Sequence, residues 1–298
     1  MLARLLQALV LAMALLALAG AAWFWQHQQP GWALAWLLAV LGLHAGVMAL
    51  EFACLRAAHG ADPSPPARAR QLLQAWVHEV ITAPLVFCWR QPFCSQAVPD
   101  HLPPQAAGQR GVVFVHGFVC NRGIWNPHLA ALRRQGTPFV AVNLEPVFGS
   151  IDDYVPVIEA AVARLEQATG LPPVAVAHSM GGLALRAWWA QPGNSARVHH
   201  AITLGTPHHG TWLARWALTR NARQMRQMSG WLQRLEAVEP PERLARFSCY
   251  YSHCDNIVFP PSTATLPGAH NVHVPGHAHV HLVSHPQWWQ ELQALVAR

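Results

Sequence analysis

The run Pro173-Val174-Ala175-Val176-Ala177-His178-Ser179-Met180-Gly181-Gly182 sets one serine hydroxyl among small neighbours at the end of a short apolar stretch. A helical pattern, Leu183 to Trp189, follows at once. Strand, sharp turn and helix make the layout of a nucleophile elbow, G-x-S-x-G. Such a turn is too tight for large side chains two residues before or after the serine. Gly181 satisfies the later position, and Ala177 stands where the pattern has its first glycine. The geometry would project Ser179 Oγ into a pocket and aim the Met180 backbone N–H at an oxyanion forming there. Serine is a weak nucleophile at neutral pH and needs an imidazole to take its proton. The imidazole needs a carboxylate to hold its tautomer and stabilise the imidazolium.

Upstream, Gly111-Val112-Val113-Phe114-Val115 reads as a fully buried strand that ends in His116-Gly117-Phe118. Downstream, Val198 to Leu204 reads as another strand and leads into Gly205-Thr206-Pro207-His208-His209-Gly210-Thr211. With the elbow between them, these motifs resemble the α/β-hydrolase superfamily, in its bacterial lipase and carboxylesterase branch. The resemblance spans roughly Gly111 to Thr211. It implies that the H-G-x turn supplies a second oxyanion donor, the backbone N–H of Phe118. His116, Gly117 and Gly181 then support the motif. Two such donors stabilise a tetrahedral oxyanion by on the order of 3 kcal/mol each.

In that family the chain order is serine, acid, histidine. After Ser179 the acids are Glu236, Glu239, Glu242, Asp255 and Glu291. The three between 236 and 242 fall in a proline-containing helical stretch that reads as surface. Asp255 follows the strand-like Phe247-Ser248-Cys249-Tyr250-Tyr251 and precedes Asn256-Ile257-Val258-Phe259-Pro260, which resembles the family's acid loop. Outside the resemblance, an Asp here is an ordinary turn residue. Histidines crowd the C-terminal end at 270, 273, 277, 279, 281 and 285. The family places its base just after the last strand, and His279 fits that place best, ahead of His277 and His281. If His277-x-His279-x-His281 is extended, its three imidazoles share a face, a spacing that can bind zinc. Neither Cys nor a carboxylate lies close by in sequence, so the expectation is no metal and no cofactor.

These side chains need a frame. Trp125 to Arg134 reads as a helix, Phe139 to Leu144 as a strand and Ile151 to Thr169 as a helix opened by Asp152 and Asp153. Alternating strands and helices predict an α/β fold, a doubly wound, mostly parallel sheet with its chemistry at the carboxyl ends of the strands. Residues 212–246 show no strand signal and carry Trp212, Trp216, Met225, Met228 and Trp231 among arginines. The resemblance implies a helical lid there; plain helix packing on the core is the other reading. The last helix is expected over Gln287 to Arg298.

The chain has 298 residues, 52% of them apolar and only 11% charged, and the apolar excess lies at the front. Leu2 to Trp25 is interrupted only by Arg4 and Gln7, and Gly31 to Leu50 holds no Asp, Glu, Lys or Arg. Each run is long enough to cross a bilayer, which takes about 20 residues. Residues 1–55 therefore read as a transmembrane helical hairpin, and the lipid bilayer is the first expected partner. A cleaved signal peptide is the competing reading of the first run. Arg4 lies before the pair and Arg56, Arg68 and Arg70 after it, with no charge in the turn, which predicts a multi-pass protein of a bacterial inner membrane with its catalytic domain in the cytoplasm. Residues 56–105 read as a linker and an amphipathic juxtamembrane helix, whose apolar face either lies on the bilayer or covers one face of the domain. That helix has Leu72, Leu73, Trp76, Val77, Val80 and Ile81 on one face, and Pro84 is expected to end it. The hydrolase domain is expected over 106–298.

The formal charge of +6 comes entirely from arginine, because the chain has no lysine. These arginines are scattered rather than patched, so nucleic acid is not an expected partner. The six cysteines form no C-x-x-C motif, and Cys249 with Cys254 or Cys88 with Cys94 could pair in an exported domain. The sequence thus predicts a membrane-anchored serine hydrolase acting on esters or lipids. Acyl transfer or thioester cleavage on the same triad, and a non-catalytic binding protein of the same fold, are the alternatives.

Overall fold

The computed structural model describes residues 1–297. Arg298, the last residue of the expected final helix and domain, lies outside the described residues.

Short apolar runs become parallel strands here because helices cover both faces of the sheet they build. The strands are β1 (Val112–Val115), β2 (Phe139–Ala141), β3 (Val174–His178), β4 (His200–Leu204), β5 (Phe247–Tyr251) and β6 (His270–His273). They lie in the order β2-β1-β3-β4-β5-β6, each pair parallel. The pleat sends alternate residues of β1 to opposite faces. Val113 and Val115 join one core cluster with Ile158, Leu165, Leu183 and Trp188. Val112 and Phe114 join a second with Leu129, Leu132, Trp288 and Leu292. Strand β6 has no apolar run and was not foreseen. As an edge strand it pairs on one side only, and His270 and Asn271 face solvent.

Helix α1 (Leu2–Gln26) and α2 (Pro30–Ala58) form a hairpin, α3 (Ala69–Pro84) follows, and a π-helical turn over Leu85–Arg90 joins it to α4 (Gln91–Phe93). The sheet is flanked by α5 (Asn126–Gln135), α6 (Val155–Thr169) and α7 (Met180–Trp189). Short helices α8 (Arg220–Gln224), α9 (Gly230–Glu236) and α10 (Pro241–Leu244) fill the insertion, and α11 (Pro286–Val296) ends the domain. Pro84 does not stop the helical path, contrary to expectation. It cannot donate to the Val80 carbonyl, and His44 Nε2 of α2 lies 3.3 Å from that oxygen instead.

Three helices, Leu2–Gln26, Pro30–Ala58 and Ala69–Phe93, are long and apolar enough to cross a membrane. Besides the contacts of His44 and Ala45 with α3, the hairpin packs on the rest of the protein through its ends. Leu2 and Leu6 meet Val147 and Val119, while Phe52 and Leu55 meet Phe259, Cys254 and Ala278. Between them Leu9, Leu15, Trp23, Trp32, Leu38 and Leu43 are exposed. Helix α3 and its continuation show a similar stripe at a spacing of four: Leu73, Val77, Ile81, Leu85, Trp89 and Phe93 are all exposed. The face turned to the domain is instead the narrow one, Ala75, Glu79, Ala83 and Val86. All six cysteines are free thiols.

Candidate active site

Strand β3 delivers Ser179 at φ 55° and ψ −132°, a backbone conformation that L-residues seldom hold. Two turns press together around it. A Cβ on Gly181 would lie 2.5 Å from the His116 carbonyl oxygen, and one on Gly117 would lie 2.7 Å from Ser179 Cβ. Both positions therefore need glycine. Met180 opens α7, so its N–H belongs to the first turn, where helices leave donors without internal partners. Across from it, Val119 sits at φ 52° just after Phe118, unusual for a β-branched residue and part of the same tight turn.

His116 locks that turn. The Leu144 N–H donates to its Nε2 at 2.9 Å, so Nδ1 carries the ring proton and donates to the Gly117 carbonyl at 2.9 Å. Complete burial pushes its pKa down to about 4, consistent with a neutral ring whose part is structural.

Asp255 and His279, the acid and base expected from the sequence, meet at the carboxyl ends of β4 and β5. His279 Nδ1–H donates to Asp255 Oδ2 at 2.9 Å, which leaves Nε2 free for a substrate proton. Asp255 Oδ1 accepts the N–H groups of Ile257 and Val258 at 2.9 and 2.8 Å, so the carboxylate is fixed from both sides. Gly205, at φ 54°, leaves room for the pair: a Cβ there would lie 2.8 Å from Asp255 Oδ2. Burial opposes charging of His279, but the attraction and hydrogen bond of Asp255, helped by Glu79 and Glu51, outweigh it and raise its pKa.

The rival histidines point elsewhere. The His277 ring bonds the Pro275 carbonyl and stacks on His281 at 4.5 Å between centroids, with His285 edge-on at 4.7 Å. His281 also lies against His78 at 4.6 Å. The three imidazoles of the H-x-H-x-H run do not converge, because His279 turns inward to Asp255. Among the described residues no group of three or more His, Cys, Asp or Glu side chains is placed to hold a metal ion.

Ser179, His279, Phe118 and Val119 line one cavity of about 270 Å³. Its other wall comes from the N-terminal helices, through Met48 and Glu51 of α2, Glu79 and Ala83 of α3, and Phe87 beyond them. No residue of 212–246 lines it. In that segment Met225, Trp231, Leu232 and Leu235 pack into the core with α6 and α7, and Glu239 forms a fully buried ion pair with Arg186. A larger cavity of about 680 Å³, between the α2–α3 linker and His253, holds none of the predicted site residues.

The profile of the alpha/beta hydrolase family matches residues 112–254. The chain carries the α/β-hydrolase fold. Solved structures similar to the hydrolase domain include lipase BlEst2 of Bacillus licheniformis in its mature form, at 19% identity over 65% of this chain and 95% of that one, with a TM-score of 0.56. Lipase B of Aspergillus fumigatus is also similar, at 19% identity over 67% of this chain and 56% of that one, with a TM-score of 0.58. At such identities the likeness speaks for the fold of the hydrolase domain. No curated protein sequence matches the chain.

Several residues of the site escaped the sequence reading. Asn256 accepts the His279 N–H on Oδ1 at 3.1 Å. His178 donates from Nε2 to the His279 carbonyl at 3.2 Å, and its Nδ1 has no hydrogen-bond partner among the described residues. Glu79 reads from the sequence as part of the polar face of α3, whereas Glu51 had one legible signal. A lone acid within an apolar helix is costly and so points to a function.

Proposed function

We propose that this chain is a membrane-anchored serine hydrolase that cleaves carboxylic esters, those of lipids in particular, through an acyl-enzyme. The observation that carries the reading is the 2.9 Å hydrogen bond to Asp255 from His279, which lines the same cavity as Ser179. Ser179 Oγ attacks the ester carbonyl carbon while His279 Nε2 takes its proton. The carbonyl oxygen becomes an oxyanion, held by the N–H groups of Phe118 and Met180. Collapse expels the alcohol, which receives the proton from the imidazolium. Water then repeats the sequence on the acyl-enzyme and releases the acid. Asp255 stays ionised throughout, holding the tautomer and the charge of His279.

In this reading α1 and α2 cross a bacterial inner membrane. Both ends of the hairpin pack on the hydrolase domain, which supports placing that domain on the same side as residue 1. The basic flanks assign this side to the cytoplasm. Helix α3 with its continuation to Phe93 has the length of a span, but its buried Glu79 bonds the domain, which supports a helix lying along the domain with its exposed stripe toward lipid.

The test is fluorophosphonate labelling of the full chain in detergent. Label is expected on wild type, His277→Ala and His281→Ala, and is expected to be lost with Ser179→Ala and His279→Ala. Folded wild-type protein that takes no label would overturn the mechanism.

A further inference from the structure

Glu51, Asp62 and Glu79 are the only acids in the first 93 residues. Each bonds the hydrolase domain, and two of them bond the loops that carry the acid and the base. Residues His281–Ser284 form a helical turn directly after the base, with Val280 at its N-cap. A helix start needs acceptors for its free N–H groups, and a valine side chain has none to give. Glu79 supplies both from α3. Its Oε1 accepts the Val280 N–H at 2.8 Å and its Oε2 the His281 N–H at 2.9 Å. Glu79 is only 1% exposed, so these bonds are what compensates for burying the carboxylate.

Glu51 completes the arrangement from α2. Its Oε2 accepts from Asn256 Nδ2 at 2.6 Å, and Asn256 Oδ1 accepts the His279 N–H. The backbone around His279 is thereby tied on three sides: N–H to Asn256, carbonyl to His178, and the next two N–H groups to Glu79. Two of the three ties lead back to the apolar N-terminal helices.

We propose that Glu79, supported by Glu51 through Asn256, is a positioning residue for the base, so that α2 and α3 set His279 on Asp255 as well as anchoring the domain. This rests on the triad reading above. The groups facing His279 are the carboxylates of Asp255, Glu79 and Glu51 and the ring of His178, whose centroid lies 4.6 Å from that of His279. Burial raises the Glu79 carboxyl to about 7, so its charge is full only above that range. Where it is ionised it favours the imidazolium, and its removal lowers the pKa of His279.

The experiment uses the full chain in detergent with a short-chain p-nitrophenyl ester, turnover being expressed per active site titrated with fluorophosphonate. In Glu79→Gln one acceptor oxygen and the size of the side chain remain, so the fold is expected to persist. Its kcat should fall about tenfold with KM within about threefold, and the lower limb of the pH profile should move to lower pH. Glu79→Ala should lose about a hundredfold. Glu51→Gln keeps an acceptor for Asn256, so it should shift the limb with little loss of kcat. Per-site kcat and pH limb equal to wild type in both Glu79 variants would overturn the proposal, because a purely structural role changes yield and melting but neither of these. Failure of the triad reading would appear separately, as turnover that survives Ser179→Ala.

Discussion

Two helical regions outside the sheet were candidates to cover the cavity lined by Ser179 and His279: the insertion over 212–246 and the N-terminal helices. They resemble each other in composition, each mixing Trp and Leu with arginine. They differ in what their polar groups do. In the insertion the buried acid is Glu239, paired with Arg186 of α7 on the core side. In the N-terminal helices the acids Glu51 and Glu79 reach the cavity itself, and Met48, Ala83 and Phe87 line it. An apolar stripe alone does not say which surface a helix covers. The buried polar group within the helix does, because it must sit where its partner is.

The largest effect that would sharpen this contrast is the replacement of one acid on each side. Asp255→Asn should cut kcat about 10³- to 10⁴-fold while leaving melting nearly unchanged, because the amide cannot hold the productive tautomer. Glu239→Gln should do the reverse. It leaves Arg186 as an unpaired buried charge at a cost of about 3–5 kcal/mol, read by thermal unfolding, with the pH profile of the surviving active sites unmoved. If Glu239→Gln moved that profile, the separation between the two regions would collapse.

A smaller effect concerns the substrate. Ala83 is buried in the cavity wall, so Ala83→Phe should lower kcat/KM about tenfold for long-chain esters relative to short ones. Trp216→Ala, at an exposed position of the insertion, should leave the chain-length ratio within about twofold in detergent. The opposite pattern would return the role of acyl cover to the insertion.

The dependence on pH follows from His279. Its pKa lies above 6.5, so the folded state favours the imidazolium. The stability this gives is complete below pH 6.5 and is lost as pH rises through the folded value. Catalysis needs the neutral ring, so kcat/KM should climb over the same window, with a midpoint above 6.5 that falls in Glu79→Gln. The smallest effect is expected at Met228, exposed on the insertion, where Met228→Ser should change stability by no more than about 0.5 kcal/mol.

Much of the domain was legible in the sequence for local reasons. The elbow needs small residues at fixed offsets from Ser179, and Gly181 and Gly117 show why: backbone or Cβ atoms stand where a side chain would go. The apolar runs of β1 and β3 are continuous because both faces are covered, so they could be read without partners. Strand β6 could not, because an edge strand half in solvent carries no such run. Six histidines crowd the C-terminal end, and residue type alone does not rank them. The place of the family's base favoured His279, and the loop geometry gives the physical reason: this ring turns to Asp255, while His277, His281 and His285 turn to each other and His273 to His253.

By itself the sequence determined the chemistry available to this protein: a serine at a turn, an acid and several imidazoles after it, and apolar helices before them. Those are short-range facts, carried by residue type and spacing. The tertiary structure decided how the His279 ring is held on Asp255, and it alone decided that the wall opposite Ser179 is built by helices from the other end of the chain. The bonds from Glu79 to Val280 and His281 join residues about two hundred positions apart. A contact across that separation leaves no periodicity to read. It exists only once burial has forced a carboxylate and two free N–H groups to satisfy one another.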